Sequence, residues 1–119
     1  MGLLERLRRR FTETDEERLA GEIQAWASKV PGAVRIAECP TRRPVKIAGV
    51  VKRITVTPIQ GAESLEAVIT DGTGEISVIW MGRRAISGLT LGTHVVVEGV
   101  AAADRAGRRM VNPKFEFAA

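Results

Sequence analysis

From Val45 onward apolar and polar residues alternate with a period of two, whereas before Pro40 the apolar residues recur at three- and four-residue spacing. The chain therefore divides near the Pro40 to Pro44 segment into a helical N-terminal extension, residues 1–40, and a strand-rich remainder, residues 41–119. In the extension, Leu3, Leu4, Leu7 and Phe11 fall at helical spacing among Arg6, Arg8, Arg9 and Arg10, which predicts a short basic amphipathic helix. Thr14 followed three residues later by Glu17 is a capping-box pattern, and Asp15 and Glu16 suit the positive end of a helix dipole. A second helix is expected from about Asp15 to Lys29, with Leu19, Ile23, Trp26, Ala27 and Val30 on one stripe and Pro31-Gly32 as its stop.

Five strands are expected in the remainder, separated by Gly and Asp-Gly punctuation. The first, Pro44 to Thr57, is long enough to curl around a small barrel if kinked, and Gly49 with the phase slip at Lys52-Arg53 supplies the kink. Leu65 to Thr70 and Glu75 to Met81 form a hairpin about the Asp71-Gly72-Thr73-Gly74 turn. A helical turn over Ala85, Ile86 and Leu89 precedes a fourth strand, Thr93 to Ala102, and a fifth, Arg109 to Phe117.

Composition narrows the classes. The 119 residues, 45% hydrophobic and 27% charged, suit one globular domain. Eighteen Lys and Arg against 14 Asp and Glu give a net charge of +4, which favours polyanionic partners. Cys39 is the only cysteine, so one chain builds neither a disulfide framework nor a multi-thiolate metal site, and the cytoplasm is the expected compartment. No apolar run approaches the roughly 20 residues of a membrane span, and the N-terminus lacks a signal-peptide pattern.

The order of three strands, a short helix and two strands is that of the OB architecture, a five-stranded Greek-key barrel. Residues 45 to 51 (VKIAGVV), 71 to 74 (DGTG), 76 to 82 (ISVIWMG), 91 to 99 (LGTHVVVEG) and 110 to 115 (MVNPKF) resemble the tRNA-anticodon-type OB family. The last, with Asn112-Pro113, is most similar to the wedge OB domain of RecG-type helicases. The resemblance covers about residues 42 to 117 and implies a small stand-alone bacterial form. The helicase motor is absent from this sequence, so unwinding does not carry over. The fold expected is an all-β OB barrel preceded by two helices.

In OB folds the face of strands two and three, with the loops joining strands one to two and four to five, commonly holds oligonucleotides through a basic groove with aromatic platforms. On this chain the resemblance puts Arg105, Arg108 and Arg109 in the last of these loops, Arg83 and Arg84 at the end of strand three, and Lys46, Lys52 and Arg53 on strand one. Most of these cations sit at strand ends, where barrel loops gather, and together they form the expected phosphate-binding set. Trp80 is a base-stacking platform, or else packs in the core or against the N-terminal helices, since it shares a face with Ile76 and Val78 while Ser77, Ile79 and Met81 point the other way. Phe115 and Phe117 alternate onto the core face with Val111.

Catalytic readings fail for want of company. His94 has only Glu98 on its face, a surface pair rather than a metal site. Cys39 lacks a nearby histidine, Asp71 reads as a turn residue, and the DGTG turn lacks the lysine and helix of a phosphate-binding loop. The sequence thus predicts no enzyme and no cofactor or metal, but a nucleic-acid-binding module of low specificity for single-stranded or branched DNA or for RNA. The alternative is a protein-interaction or oligomerisation adaptor in which the barrel is scaffold and the N-terminal helices make the contacts. The basic first helix itself suits docking on the barrel, pairing with another copy, nucleic acid or an acidic membrane surface.

Overall fold

The computed structural model describes residues 15–118; the basic helix predicted over 3–11 and the capping residue Thr14 lie outside them. Among the described residues there is one α-helix, α1 (Asp15–Ala27), a 3-10 turn (Ile36–Glu38) and six strands. These are β1 (Pro44–Ile59), β2 (Ala62–Thr70), β3 (Glu75–Met81), β4 (His94–Asp104), β5 (Gly107–Val111) and β6 (Lys114–Phe117).

The length of β1 is what lets the sheet curl. Its first half pairs antiparallel with β4, from Pro44 opposite Val100 to Val50 opposite His94, and its second half pairs with β2. Between them the register slips at Lys52, between Val51 and Arg53, so the predicted kink is a β-bulge. Gly49 is required beside it: a Cβ there would run into the Ile69 side chain and sit 2.8 Å from the Thr70 carbonyl oxygen. With β2 on β3, β3 parallel to β5 and β5 on β4, the pairings close a ring, β1-β2-β3-β5-β4-β1. Period-two alternation fills its interior with Ile47, Leu65, Ala67, Ile69, Ile76, Val78, Val95, Val97 and Met110.

Several expectations are corrected. The fifth strand is two: Asn112 takes a left-handed φ of 48°, its amide donates to Ile79 O at 2.7 Å and its Oδ1 accepts the Met81 amide at 2.9 Å, so the chain turns at Asn112-Pro113. β5 then pairs with β3 and the end of β4, and β6 with the start of β4. The helical turn predicted over 85–89 is an irregular loop, in which Ile86 and Leu89 are buried and joined by a single Leu89 N–H to Ile86 O bond. Their spacing reflects two plugs for the mouth of the ring rather than a helix face. Finally, Leu19 leaves the predicted stripe and stands 55% exposed, while Ile23 and Ala27 are buried.

α1 ends two residues before its predicted last residue, Lys29, and Lys29 and Val30 continue as tighter turns onto Trp26 O and Ala27 O. It lies on the outer face of β1 and β4, where Ala27, Trp26 and Val30 pack against the cross-strand pair Ala48 and Val96. The Trp26 ring meets His94 edge-on at 4.6 Å, and Glu98 faces Lys46 at 3.9 Å, so the expected His94–Glu98 pair is replaced by these two contacts. The 3-10 turn drives a fully buried Ile36 into the core. It is held there by Asp71, whose Oδ2 accepts the Ile36 amide at 2.9 Å while Oδ1 accepts from Thr73 and Gly74.

Candidate nucleic-acid interface

Residues directly opposite one another in a sheet share a face, so the ladder registers identify what lies on the outside of β2, β3 and β5. One row crosses from Arg53 to Val68, Ser77, Arg109 and Ala102. The next crosses from Thr55 to Glu66, Ile79 and Val111, and the third from Thr57 to Ser64 and Met81. Met81 and Val111 are exposed and Ile79 half-buried, which makes a strip of aliphatic side chains along this face. A shallow depression of about 210 Å³ lies on it, lined by Glu66, Ser77, Ile79, Asp104, Arg108 and Arg109 among others.

The predicted cations are divided between the two ends of this strip rather than gathered at one rim. The parallel β3–β5 pairing sets Arg108 and Arg109 beside Ile76 and Ser77, at the start of β3, with Arg105 in the adjoining β4–β5 turn. Arg83 and Arg84 follow Met81 at its other end. Four steps of strand separate Ser77 from Met81, about 13 Å at 3.3 Å per residue, and Arg83 follows beyond the turn at Gly82. Arg53 and Lys52 sit at the Arg109 end across the sheet. Lys46 is displaced from this face: its carbonyl accepts the Val34 amide, and its side chain meets Glu98 on the β1–β4 side of the ring.

Several of these charges have partners. Arg109 Nη1 lies 2.8 Å from Asp104 Oδ2 and Arg84 Nε 2.6 Å from Glu63 Oε2, while Lys52 pairs with Glu75. All three pairs are solvent-exposed, where an ion pair is worth only about 0–1 kcal/mol, so an incoming phosphate can compete for the cation. Arg108 differs. Its Nη2 donates to the Ala37 carbonyl at 3.1 Å, tying β5 to the 3-10 turn, and its charge opposes the effect of burial, which pushes the Cys39 thiol up. A thiol held neutral in this way is packing, in keeping with its place in the core cluster. Arg53, Arg83 and Arg105 are exposed and have no ion-pair partner among the described residues.

Trp80 resolves to the core. It is 4% exposed, its ring meets Phe115 edge-on at 5.3 Å, and Phe115 in turn meets Phe117 at 5.8 Å. A base therefore cannot stack on it, and the outward set is Ser77, Ile79 and Met81. Phe115 follows the expected core face, whereas Phe117 reaches the mouth of the ring and stays 41% exposed against Gly88. Trp80→Phe should lower stability by about 1–2 kcal/mol and leave oligonucleotide affinity unchanged, measured by denaturation and by titration. A selective loss of affinity would return the indole to the interface.

One pair of cations was not singled out from sequence. Arg42 and Arg43 are exposed, and the Arg42 amide donates to Ala101 O at 3.0 Å, one residue from Ala102, the partner of Arg109. The Thr41-Arg42-Arg43-Pro44 run carried the signal but read only as the boundary between the two regions of the chain.

No protein-family model matches the sequence, and no curated protein does. Among solved structures, a chain from a replication protein A heterotrimer bound to single-stranded DNA (ssDNA) matches with a TM-score of 0.51 and 18% identity. The match covers 64% of this chain and 57% of that one. The fold is OB-like. The outer face of its second and third strands is the strip bounded by two sets of arginines.

Proposed function

We infer that the protein is a non-catalytic OB-fold module that binds single-stranded nucleic acid, DNA or RNA, with low sequence specificity in the bacterial cytoplasm. In this reading the ring is an OB barrel over residues 41–119, behind a helical extension over 1–40, and Asn112-Pro113 marks it as nearest the RecG-type wedge form. The observation that carries the reading is the aliphatic strip of Ile79, Met81 and Val111, with Arg53, Arg105 and Arg109 at one end and Arg83 and Arg84 at the other. A flexible strand can lay its bases against the strip and its phosphates against both ends. A duplex, whose bases are stacked inside, uses only the charges. Because the contacts go to phosphates and aliphatic surface, they carry little sequence information.

The reading is tested by titrating labelled ssDNA, duplex DNA and RNA at two salt concentrations. The expected result is tighter binding of single strands and a steep loss of affinity with salt. Absence of binding at low salt overturns it. The adaptor reading draws on Leu19, which the stripe of α1 leaves exposed, and on the lack of an aromatic side chain on the strip. It predicts that same absence together with a protein partner.

A further inference from the structure

The second half of β1 has a free edge. The hairpin joining β1 to β2 turns through Gln60-Gly61 and closes on the pair Ile59 and Ala62, which fixes which residues bond across it. In a two-residue hairpin the closing pair is hydrogen-bonded, so Ile59, Thr57 and Thr55 bond to β2, and Pro58, Val56 and Ile54 turn their backbone groups away from it. The rest of the ladder agrees with this parity. Glu63, the partner of Pro58, gives its carbonyl to the Gly82 amide on the β3 side at 2.9 Å, and Val51 bonds Thr93 and Gly92 on the β4 side at 3.0 and 2.8 Å. Beyond Val51, β4 no longer accompanies β1, and among the described residues no strand and no backbone bond reaches Ile54 or Val56 from that side.

We propose that this edge is where a second copy of the chain binds, by antiparallel pairing of β1 with β1 about Thr55. The edge is symmetric about that residue: the bulge at Lys52 ends it three residues to one side, and Pro58, which has no amide to give, ends it three residues to the other. With Thr55 opposite its own copy, Ile54 and Val56 of one chain lie opposite Val56 and Ile54 of the other, and every outward N–H and C=O of these residues finds a partner. The apolar pairs share one face. Thr55 with Thr55 and Arg53 with Thr57 share the other, so no like charges oppose one another. Val56, 43% exposed, and Leu91, 67% exposed and placed beside the edge by the Gly92–Val51 bond, are the apolar surface that the pairing covers. Such a contact is isologous, and its two stops confine it to a closed dimer rather than a growing sheet. It leaves the outer face of β3 and β5 open.

The test is the mass in solution of the full chain and of two variants at an exposed position, Thr55→Lys and Thr55→Glu. The wild type is expected at twice the 12.9 kDa chain mass. Each variant alone, with like charges brought face to face, falls to the monomer mass, and an equimolar mixture of the two returns to the dimer mass. In the wild type, amide hydrogen exchange at Ile54 and Val56 slows as the concentration rises, a readout independent of either variant's folding. A wild-type monomer at every soluble concentration overturns the proposal. So does a dimer that survives in both single variants, a mixture that stays monomeric, or exchange at Ile54 and Val56 that ignores concentration.

Discussion

Replacing Arg53, Arg105 and Arg109 together by alanine should weaken binding of a single-stranded oligonucleotide roughly a hundredfold at low salt and lower the slope of log affinity against log salt by about 2. The expectation follows from charge counting. Each phosphate neutralised on a single strand contributes about 0.7 to that slope through released counterions, so three lost contacts remove about 2. The loss is not confined to the missing cations, because Arg109→Ala also frees the Asp104 carboxylate, which then repels phosphate on the same face. All three side chains are exposed, so thermal stability should change little. Arg108→Ala provides the contrast: its guanidinium holds the Ala37 carbonyl, and its loss should cost about 1 kcal/mol of stability with a smaller effect on the salt slope. Oligonucleotide length separates the two ends of the strip. An oligonucleotide too short to span the roughly 13 Å of strand between Ser77 and Met81 should respond to the triple variant and ignore Arg83→Ala with Arg84→Ala, whereas a longer one should respond to both. An unchanged affinity in the triple variant would remove these residues from the interface.

How much of this could be read from the chain depends on the range of the interaction. β3 was predicted with its observed bounds, Glu75–Met81, because the turn before it and the alternation within it are local signals. The β1 kink was legible for the same reason: a bulge shifts the polar-apolar phase at the very residues where it occurs, Lys52 and Arg53. The break at Asn112 was not, since its positive φ is stabilised by Ile79 and Met81, some thirty residues earlier in the chain. The loop over Ile86 and Leu89 imitated a helix because two buried side chains three residues apart satisfy a helical spacing whether or not the backbone coils. At the candidate site the identities of the cations were visible but their state was not. Lys52 with Glu75 and Arg84 with Glu63 meet only through strand register, and Arg108 meets Ala37 only because the 3-10 turn folds under β5. The even split of β3 into an apolar inner and a mostly apolar outer set left Trp80 undecided, and the ring settled it by closing over Ile76, Val78 and Trp80.

Asp71→Ala should be the most destabilising single substitution considered, at about 3–4 kcal/mol, or a melting point lower by some 15–20 °C on the scaling for a domain of about 100 residues. Asp71 was read from sequence as a turn residue, and it fills that role: Oδ1 accepts the Thr73 amide at 2.9 Å, the Thr73 hydroxyl at 2.6 Å and the Gly74 amide at 3.3 Å. The structure adds a long-range task. Oδ2 takes the amide of Ile36, 35 residues earlier, and so fastens the 3-10 turn whose Ile36 side chain fills the core. Alanine would leave that amide buried without a partner, which costs about 1–3 kcal/mol by itself, and the lost turn bonds add to it. The neighbouring Gly72 packs so closely on the α1 backbone at Ala20 that a Cβ there would collide with its carbonyl oxygen, so loosening the turn also loosens the helix. Asp71→Asn keeps a carbonyl acceptor for one set of donors and sets an amide against the other, so it should recover only part of the loss. Because Thr73 also accepts the Ala37 amide, and Ala37 accepts from Arg108, the damage should spread to the start of β5 and lower oligonucleotide affinity as well. Thermal melts of the wild type and both variants, read beside the titrations, check the order wild type above Asn above Ala; equal stability of all three would show that Ile36 is held by packing alone.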